Sequence, residues 1–353
     1  MALLHPRQFL PVGAGDLVIF FRQVALMLRA GFTLVNALDA IGEMEIKGRL
    51  RRAIRRMSDE IRRGAGFSTA LAREKAIFSR MVVSLAASGE QSGNLDAILD
   101  RLSDNMARTR ELKRQLISAM FYPLFVLIAA IAVVVFLMVG VIPRFAVFLA
   151  ARHASLPAST QLLMDISAWA VDYGKIIAIV AGSLVFAVLA LYTNRRGKLL
   201  IDRAILAIPL VGTAVLYSAM ALSGWSMGML LTSGVTALES LRITSTLIGN
   251  LALSKCLQRA AERLLAGRSL SRALDQTHIP LMMRHMAMVG ESSGQLDTVM
   301  QDVGEYYQKE LTAKVKIIAV MIEPTLIIVV GGLVGFVYFA FFQAVISVSK
   351  GGM

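Results

Sequence analysis

The sequence predicts an all-α membrane protein in which two repeated cytoplasmic helical bundles, of about six short helices each, are joined to three transmembrane helices. Three observations lead to this class. The first is a repeat. Leu28-Arg29-Ala30-Gly31-Phe32-Thr33 returns as Leu231-Thr232-Ser233-Gly234-Val235-Thr236, an offset of 203 positions that also carries Gly64 onto Gly267 and Ser68 onto Ser271. At an offset of 201, Gly89-Glu90-Gln91-Ser92-Gly93-Asn94-Leu95-Asp96 becomes Gly290-Glu291-Ser292-Ser293-Gly294-Gln295-Leu296-Asp297, and Pro123 falls on Pro324. Self-similarity of this length decides architecture before any single residue is read. The second is composition: 56% hydrophobic residues, 17% charged residues and a mean hydropathy of +0.64 place the chain in the membrane class. The third is that the basic residues gather on the two repeated blocks.

The first block, 1–116, reads as helical. Leu50, Ala53, Ile54, Met57 and Ile61 recur at spacings of three and four, with arginines on the other face. Leu95, Ile98, Leu99, Leu102 and Met106 repeat the pattern before the first apolar run. Glycines 31, 64, 89 and 93, and their counterparts 234, 267, 290 and 294, are expected to punctuate short helices. Ser68 and Ser271 are expected as N-caps of the helices that carry Ala70-Leu71 and Ala273-Leu274. Met1 to Pro11 lacks the charged-then-apolar pattern of a cleavable signal peptide, so the mature chain is expected to begin there.

Residues 117–142 are uncharged and long enough to cross a hydrocarbon core of about 30 Å. A short loop, 143–173, leads to a second span at 174–193, whose apolar core is near the lower length limit and gains from Trp169 and Tyr173. The second block, 194–316, precedes a third span, 317–346, which carries Glu323 and ends in the tail 347–353. Within the second block, 204–231 holds no Lys, Arg, Asp or Glu, and hydropathy alone marks it as a span. Pro209, Gly212, Ser218, Ser223, Gly224, Ser226 and Gly228 dilute it, and two equivalent blocks on one side require an even number of crossings between them. It is therefore expected as an interfacial or bundle-buried helical region.

Orientation follows from the basic residues near the span ends. Arg108, Arg110, Lys113 and Arg114 close the first block; Arg195, Arg196 and Lys198 open the second, and Lys309, Lys314 and Lys316 close it. Between the apolar runs 117–142 and 176–192 the chain holds Arg144, Arg152 and Lys175 against Asp165 and Asp172. Both blocks, with the N-terminus, are expected in the cytoplasm; the loop and the C-terminal tail are expected in the periplasm of a multi-pass protein of the bacterial inner membrane. The net charge of +13 reads as topology and attraction to anionic lipids. No nucleic-acid module accompanies the arginines, so nucleic acid is excluded as a partner.

Catalysis finds no support in the sequence. His5, His153, His278 and His285 are scattered, Cys256 is alone, and neither a phosphate-binding loop ending in Gly-Lys-Ser/Thr nor a nucleophile elbow is present. The expectation is a protein that is not an enzyme and holds no cofactor or metal.

The order Leu-x-x-Gly-x-x-Leu, Gly-x-x-x-Ser-x-Ala-Leu, Gly-Glu-x-Ser-Gly-x-Leu-Asp, then Pro inside the span, resembles the GspF/PilC family over nearly the whole chain. These are inner-membrane platform proteins of type IV pilus assembly and type II secretion. The early start of the first block looks more like the short type IVb or thin-pilus members, and 204–231 is less charged than its usual counterpart. The resemblance implies a platform that binds a hexameric secretion-type ATPase on the cytoplasmic side and couples its motion to insertion or extraction of pilin or pseudopilin subunits. Other inner-membrane assembly proteins and further copies of the chain are implied as partners. It also allows a divalent ion at a domain interface, although no EF-hand-like loop is present.

Several residues stand out as partner-binding or structural candidates. Gly89, Glu90 and Gly93, with Gly290, Glu291 and Gly294, form the repeated tight element. Its glutamates either cap the following helix, whose free amides favour an anion, or contact a partner or metal. Asp96 and Asp297 fall in the first turn of that helix and read as dipole partners. Arg52, Arg55 and Arg56 form a basic face toward either an acidic ATPase surface or lipid headgroups. Pro123 and Pro324 are expected to kink their spans. Glu323 is either an intramembrane functional carboxylate or part of the headgroup layer, seven residues past Lys316. Gly331-x-x-x-Gly335 permits close helix approach and points to self-association. The competing class is a small oligomeric secondary transporter using Glu323.

Overall fold

The structure, a computed structural model, describes residues 12–44, 47–136, 139–140 and 158–350. The described residues are helical, with no strand among them. First come α1 (Ala14–Arg29), α2 (Leu34–Glu43), α3 (Gly48–Arg62), α4 (Phe67–Arg73), α5 (Arg80–Ser92) and α6 (Leu95–Phe136). Then follow α7 (Ala158–Thr193) and α8 (Arg195–Ala207). The chain closes with α9 (Val211–Thr232), α10 (Ala237–Leu247), α11 (Leu251–Leu265), α12 (Leu270–Ala273), α13 (Leu281–Ser293) and α14 (Leu296–Lys350). They form two compact units: one takes the chain through Gln115 together with Asp202–Thr312, the other Leu116–Ile201 with the chain from Ala313 onward.

The first unit contains the six-helix bundle of each repeated block, with the same helix order in both. In α3 the residues Leu50, Ala53, Ile54 and Met57 are buried, as the three-and-four spacing predicts. They join a core in which Phe20, Phe21 and Phe78 meet, Phe20 and Phe21 edge-on at 5.0 Å. The second core gathers Met220, Leu241, Leu257, Leu274, Met300 and Tyr307. Gly31, Gly64 and Gly93 have φ of 88°, 90° and 72°, and Gly234, Gly267 and Gly294 have 83°, 81° and 72°. The repeat therefore extends to the backbone: left-handed residues end corresponding helices, where a Cβ would be strained.

Two expectations about these turns need correction. Gly89 and Gly290 do not punctuate; they lie inside α5 and α13. A Cβ on Gly89 would sit 3.1 Å from Leu95 Cα, and one on Gly290 2.9 Å from Leu296 Cα, so each lets the next helix fold back closely. Nor are Ser68 and Ser271 N-caps. Helix α4 is capped at Gly66 and α12 at Ser269, which leaves the serines one residue inside each helix. The side-chain caps of the repeat are instead Thr33, accepting from Asn36 N–H, and Thr236, accepting from Glu239 N–H.

The two bundles pack on each other within this unit. α5 lies against α9 and α10, and Met229, Leu230 and Ile243 of the second bundle belong to the core of the first. The Ser88 hydroxyl donates to the Ser233 carbonyl, Arg80 lies 3.7 Å from Glu239, and Arg108 pairs with Glu305 at 3.3 Å. Among the described residues only α9 is long and apolar enough to cross a membrane by length and composition, and most of it is buried in this unit. Its burial follows from small residues. A Cβ on Gly224 would fall 2.5 Å from Gly304 N, and one on Gly228 2.8 Å from Asp297 O, so α9 and α14 touch backbone to backbone.

The second unit is apolar on the outside. Phe121, Phe125, Ile128, Ile179, Phe186, Ile327, Ile328 and Phe342 are all exposed. Shorter apolar helical stretches occur at Leu124–Val133, Gly182–Thr193 and Ile327–Ala340. Residues 158–173, expected within a loop, are helical as the first part of α7: no Pro or Gly interrupts them before Gly174. Pro123 lies within α6 and Pro324 inside α14, and both helices continue past them. Glu323 is in α14, but its side chain lies outside what the structure describes, as do residues 1–11, 141–157 and the end of the tail, 351–353. Gly331 and Gly335 have nothing within 4 Å of an added Cβ.

Candidate functional site

The repeated Gly-Glu-x-Ser-Gly element works as a clasp. Glu90, on α5, accepts the backbone N–H of Phe67, the N–H of Ser68 at 3.1 Å and the Ser68 hydroxyl. Glu291, on α13, accepts the N–H of Leu270 through both oxygens, at 3.1 and 3.0 Å. Glu90 thus satisfies two free amides at a helix N-terminus and Glu291 one, where a negative charge is favoured. The helix it caps is the preceding one, α4 or α12, and not the following one as expected. Neighbouring helical positions point about 100° apart: Gly89 faces the returning α6, which leaves Glu90 turned toward α4. Gly66 makes room, since a Cβ there would lie 3.2 Å from both Glu90 oxygens.

Asp96 and Asp297 fall in the first turns of α6 and α14. They also tie the last helix of each bundle to its first. Arg29, at the end of α1, donates to Asp100 at 2.8 Å and lies 3.9 Å from Asp96. The Asp100 hydrogen bond and charge raise the guanidinium pKa above its ordinary value. The equivalent tie in the second bundle is uncharged on one side: Thr232 donates to Asp297 at 3.2 Å, and Gln301 donates to Thr232 at 3.1 Å. The sequence reading missed this pair of ties. The offsets that relate Arg29 to Thr232 and Asp100 to Gln301 were the available signal.

A cavity of about 410 Å³ separates α6 of the first bundle from α9 and α14 of the second. Of its charged lining, Arg108 pairs with Glu305 across the cavity and Asp104 pairs with Arg22 outside it. Among the described residues no group of three or more His, Cys, Asp or Glu side chains is placed to hold a metal ion.

The basic face on α3 divides. Arg52 and Arg55 are exposed. Arg56 is bound in a fork to Glu74, with Nε to Oε1 at 2.6 Å and Nη2 to Oε2 at 2.9 Å, and that hydrogen bond raises its pKa. Arg56 thus ties α3 to the end of α4 while its side chain stays 57% exposed on the same face as Arg52 and Arg55.

Comparison with known proteins places this geometry in context. The family model for type II secretion system protein F matches residues 20–143 and 226–344, one segment over each bundle and the apolar helix that follows it. The chain is 35% identical to the type IV pilus assembly protein PilC of Thermus thermophilus, covering 92% of this chain and 80% of that protein. It is 31% identical to PilC of Myxococcus xanthus, over 91% and 77%. It is 27% identical to the type II secretion system protein F of Vibrio cholerae, over 96% and 84%.

Proposed function

This chain belongs to the type II secretion system protein F family, and from that membership we propose that it is an inner-membrane platform protein of a type IV pilus or type II secretion machine. It couples a cytoplasmic hexameric ATPase to the insertion or extraction of pilin-like subunits, and it acts as a scaffold, not as an enzyme. The observation that carries this reading is the pairing of the two repeated bundles in a single compact unit, apart from a second unit whose apolar side chains face outward. Apolar patches of that extent mark contact with lipid or protein.

In this reading 117–142, 174–193 and 317–346 cross the membrane, and α9, for all its hydropathy, stays in the cytoplasmic unit. Burial of α9 beside α14 supports an even number of crossings between the blocks. Mutual packing of the bundles supports their lying on one side, and the basic residues near the span ends make that side the cytoplasm. Arg52 and Arg55, free of the fork that holds Arg56, meet an acidic ATPase surface; anionic lipids, pilin subunits and other assembly proteins complete the set of partners.

The test is co-purification of the cognate ATPase with the full-length chain from detergent-solubilised membranes. The wild-type chain is expected to retain the ATPase, and a variant with Arg52→Glu and Arg55→Glu to lose it while inserting normally. Retention by the variant overturns docking on α3. Failure of the wild-type chain to retain the ATPase overturns the coupling role.

A further inference from the structure

Besides the Arg108–Glu305 pair, which joins the equivalent helices α6 and α14, the bundles meet through a contact that is one-directional. α5 of the first bundle, whose stripe runs through Arg80, Ala87 and Ser88, sends Arg80 to Glu239 and the Ser88 hydroxyl to the Ser233 carbonyl, while Met229, Val235 and Leu247 of the second bundle join or pack on the first core. An interface built from two different surfaces uses one face of each repeat and leaves the counterpart of each face unused. The repeat offsets identify those counterparts. Met229, Val235 and Leu247 map at 203 onto Leu26, Phe32 and Met44; Arg80, Ala87 and Ser88 map at 201 onto Leu281, Met288 and Val289.

Both counterparts lie open and both are apolar. Met229 is 6% exposed in the contact, whereas Leu26 is 54%, Phe32 51% and Met44 42% exposed. Leu281, Met288 and Val289 are 55%, 51% and 46% exposed, on one stripe of α13. Large exposed apolar side chains along one face of a bundle mark an interaction surface. We propose that the occupant of each face is a second copy of this chain: α13 of one copy docks on the α1–α2 face of the next, repeating between chains the contact that joins the bundles within a chain.

Two features select this occupant. The first is continuity of geometry, since the two free faces are the register equivalents of two surfaces that already fit each other. The second is the chemistry of the exchanged pairs. The ionic pair Arg80–Glu239 becomes Leu281 opposite Asn36, and the hydrogen-bonded Ser88–Ser233 becomes Val289 opposite Ala30. The contact between chains is thus drier than the one within a chain, as suits an association driven by apolar burial. Whether successive copies close into a ring or continue is set by the rotation the contact imposes. The proposal stands on the bundles alone and does not depend on the identity of the ATPase or pilin.

The test is thiol cross-linking of full-length chains in membranes. Cys256 is buried and stays in place. Two differently tagged chains, one with Ala30→Cys and the other with Val289→Cys, are co-expressed and treated with a short bifunctional thiol reagent. A chain carrying both Ser88→Cys and Ser233→Cys serves as the internal control. The expected result is a mixed covalent dimer from the co-expressed pair, with no dimer from either variant alone. Absence of the mixed dimer while the control reacts overturns the proposal. So does dimer formation by either variant alone, which signals a symmetric contact, and so does capture of a different protein in its place. Independently, Met288→Glu with Val289→Glu is expected to reduce the mass of the solubilised particle with helix content unchanged; an unchanged mass overturns the proposal.

Discussion

Glu291 holds the backbone amide of Leu270 with both carboxylate oxygens, at 3.1 and 3.0 Å. Glu90 holds two amides in the other bundle, those of Phe67 and Ser68, with one oxygen each. These clasps fasten the shortest helices of the unit, α4 and α12, to the long helices beside them. A four-residue helix such as α12 has too few internal hydrogen bonds to persist alone, so the carboxylate and the core contacts of Leu270 and Ala273 hold it.

Glu90→Ala and Glu291→Ala are each expected to cost about 2 kcal/mol, the magnitude of a hydrogen bond to a charged group left unmade. Thermal unfolding of the detergent-solubilised chain measures this. Glu→Gln, which keeps one acceptor oxygen, is expected to lose less. Equal melting temperatures for wild type and Glu90→Ala would show that the clasp does not support the fold.

Gly224→Ala and Gly304→Ala are expected to destabilise by roughly 1–3 kcal/mol, because each added methyl meets opposing atoms at 2.5 Å or less. Gly42→Ala offers the contrast. It lies inside α2, its added methyl would meet Ile54 at an ordinary 3.8 Å, and it is expected to stabilise by about 0.5–1 kcal/mol. Melting temperatures of the three variants should move in these opposite directions.

Arg56→Glu is expected to lower stability by about 1 kcal/mol, a figure already reduced for solvent screening, because it breaks the fork with Glu74 and places two carboxylates together. Arg52→Glu and Arg55→Glu are expected to leave the melting temperature unchanged. If all three behave alike in unfolding, the division of the α3 face is wrong.

Burial pushes the Tyr307 phenol above its ordinary value of about 10, with Tyr306 and Tyr217 adding to the rise. The folded chain then holds this proton more tightly than the unfolded chain. The resulting stability is complete below about pH 10 and is lost as pH rises from there through the raised value. Tyr307→Phe removes this contribution, so its stability should fall less steeply than wild type above about pH 10. Parallel alkaline melting curves for the two chains would refute the assignment.

Much of the fold was legible in local patterns. The two offsets, the spacing of Leu50, Ala53, Ile54 and Met57, and the glycines at 31, 64, 93, 234, 267 and 294 describe six-helix bundles used twice. The candidate site was legible only in kind. Glu90 and Glu291 are helix-capping carboxylates, but which helix they cap depends on how α5 and α13 are rotated. No local signal separates Arg56 from Arg52 and Arg55, because Glu74 lies beyond a turn and on another helix.

The sequence by itself determined the repeat, the helical class, the left-handed turns and the faces that form the two cores, because each rests on periodicity or on a backbone angle within a few residues. Tertiary structure alone decided that α9 is interior, that the bundles share one unit, and that α5 packs on the second bundle. Those outcomes depend on which backbones can approach, as Gly224 approaches Gly304 from eighty positions away. Hydropathy counts only how apolar a segment is; whether protein or something else covers it is settled by the partner surface it fits.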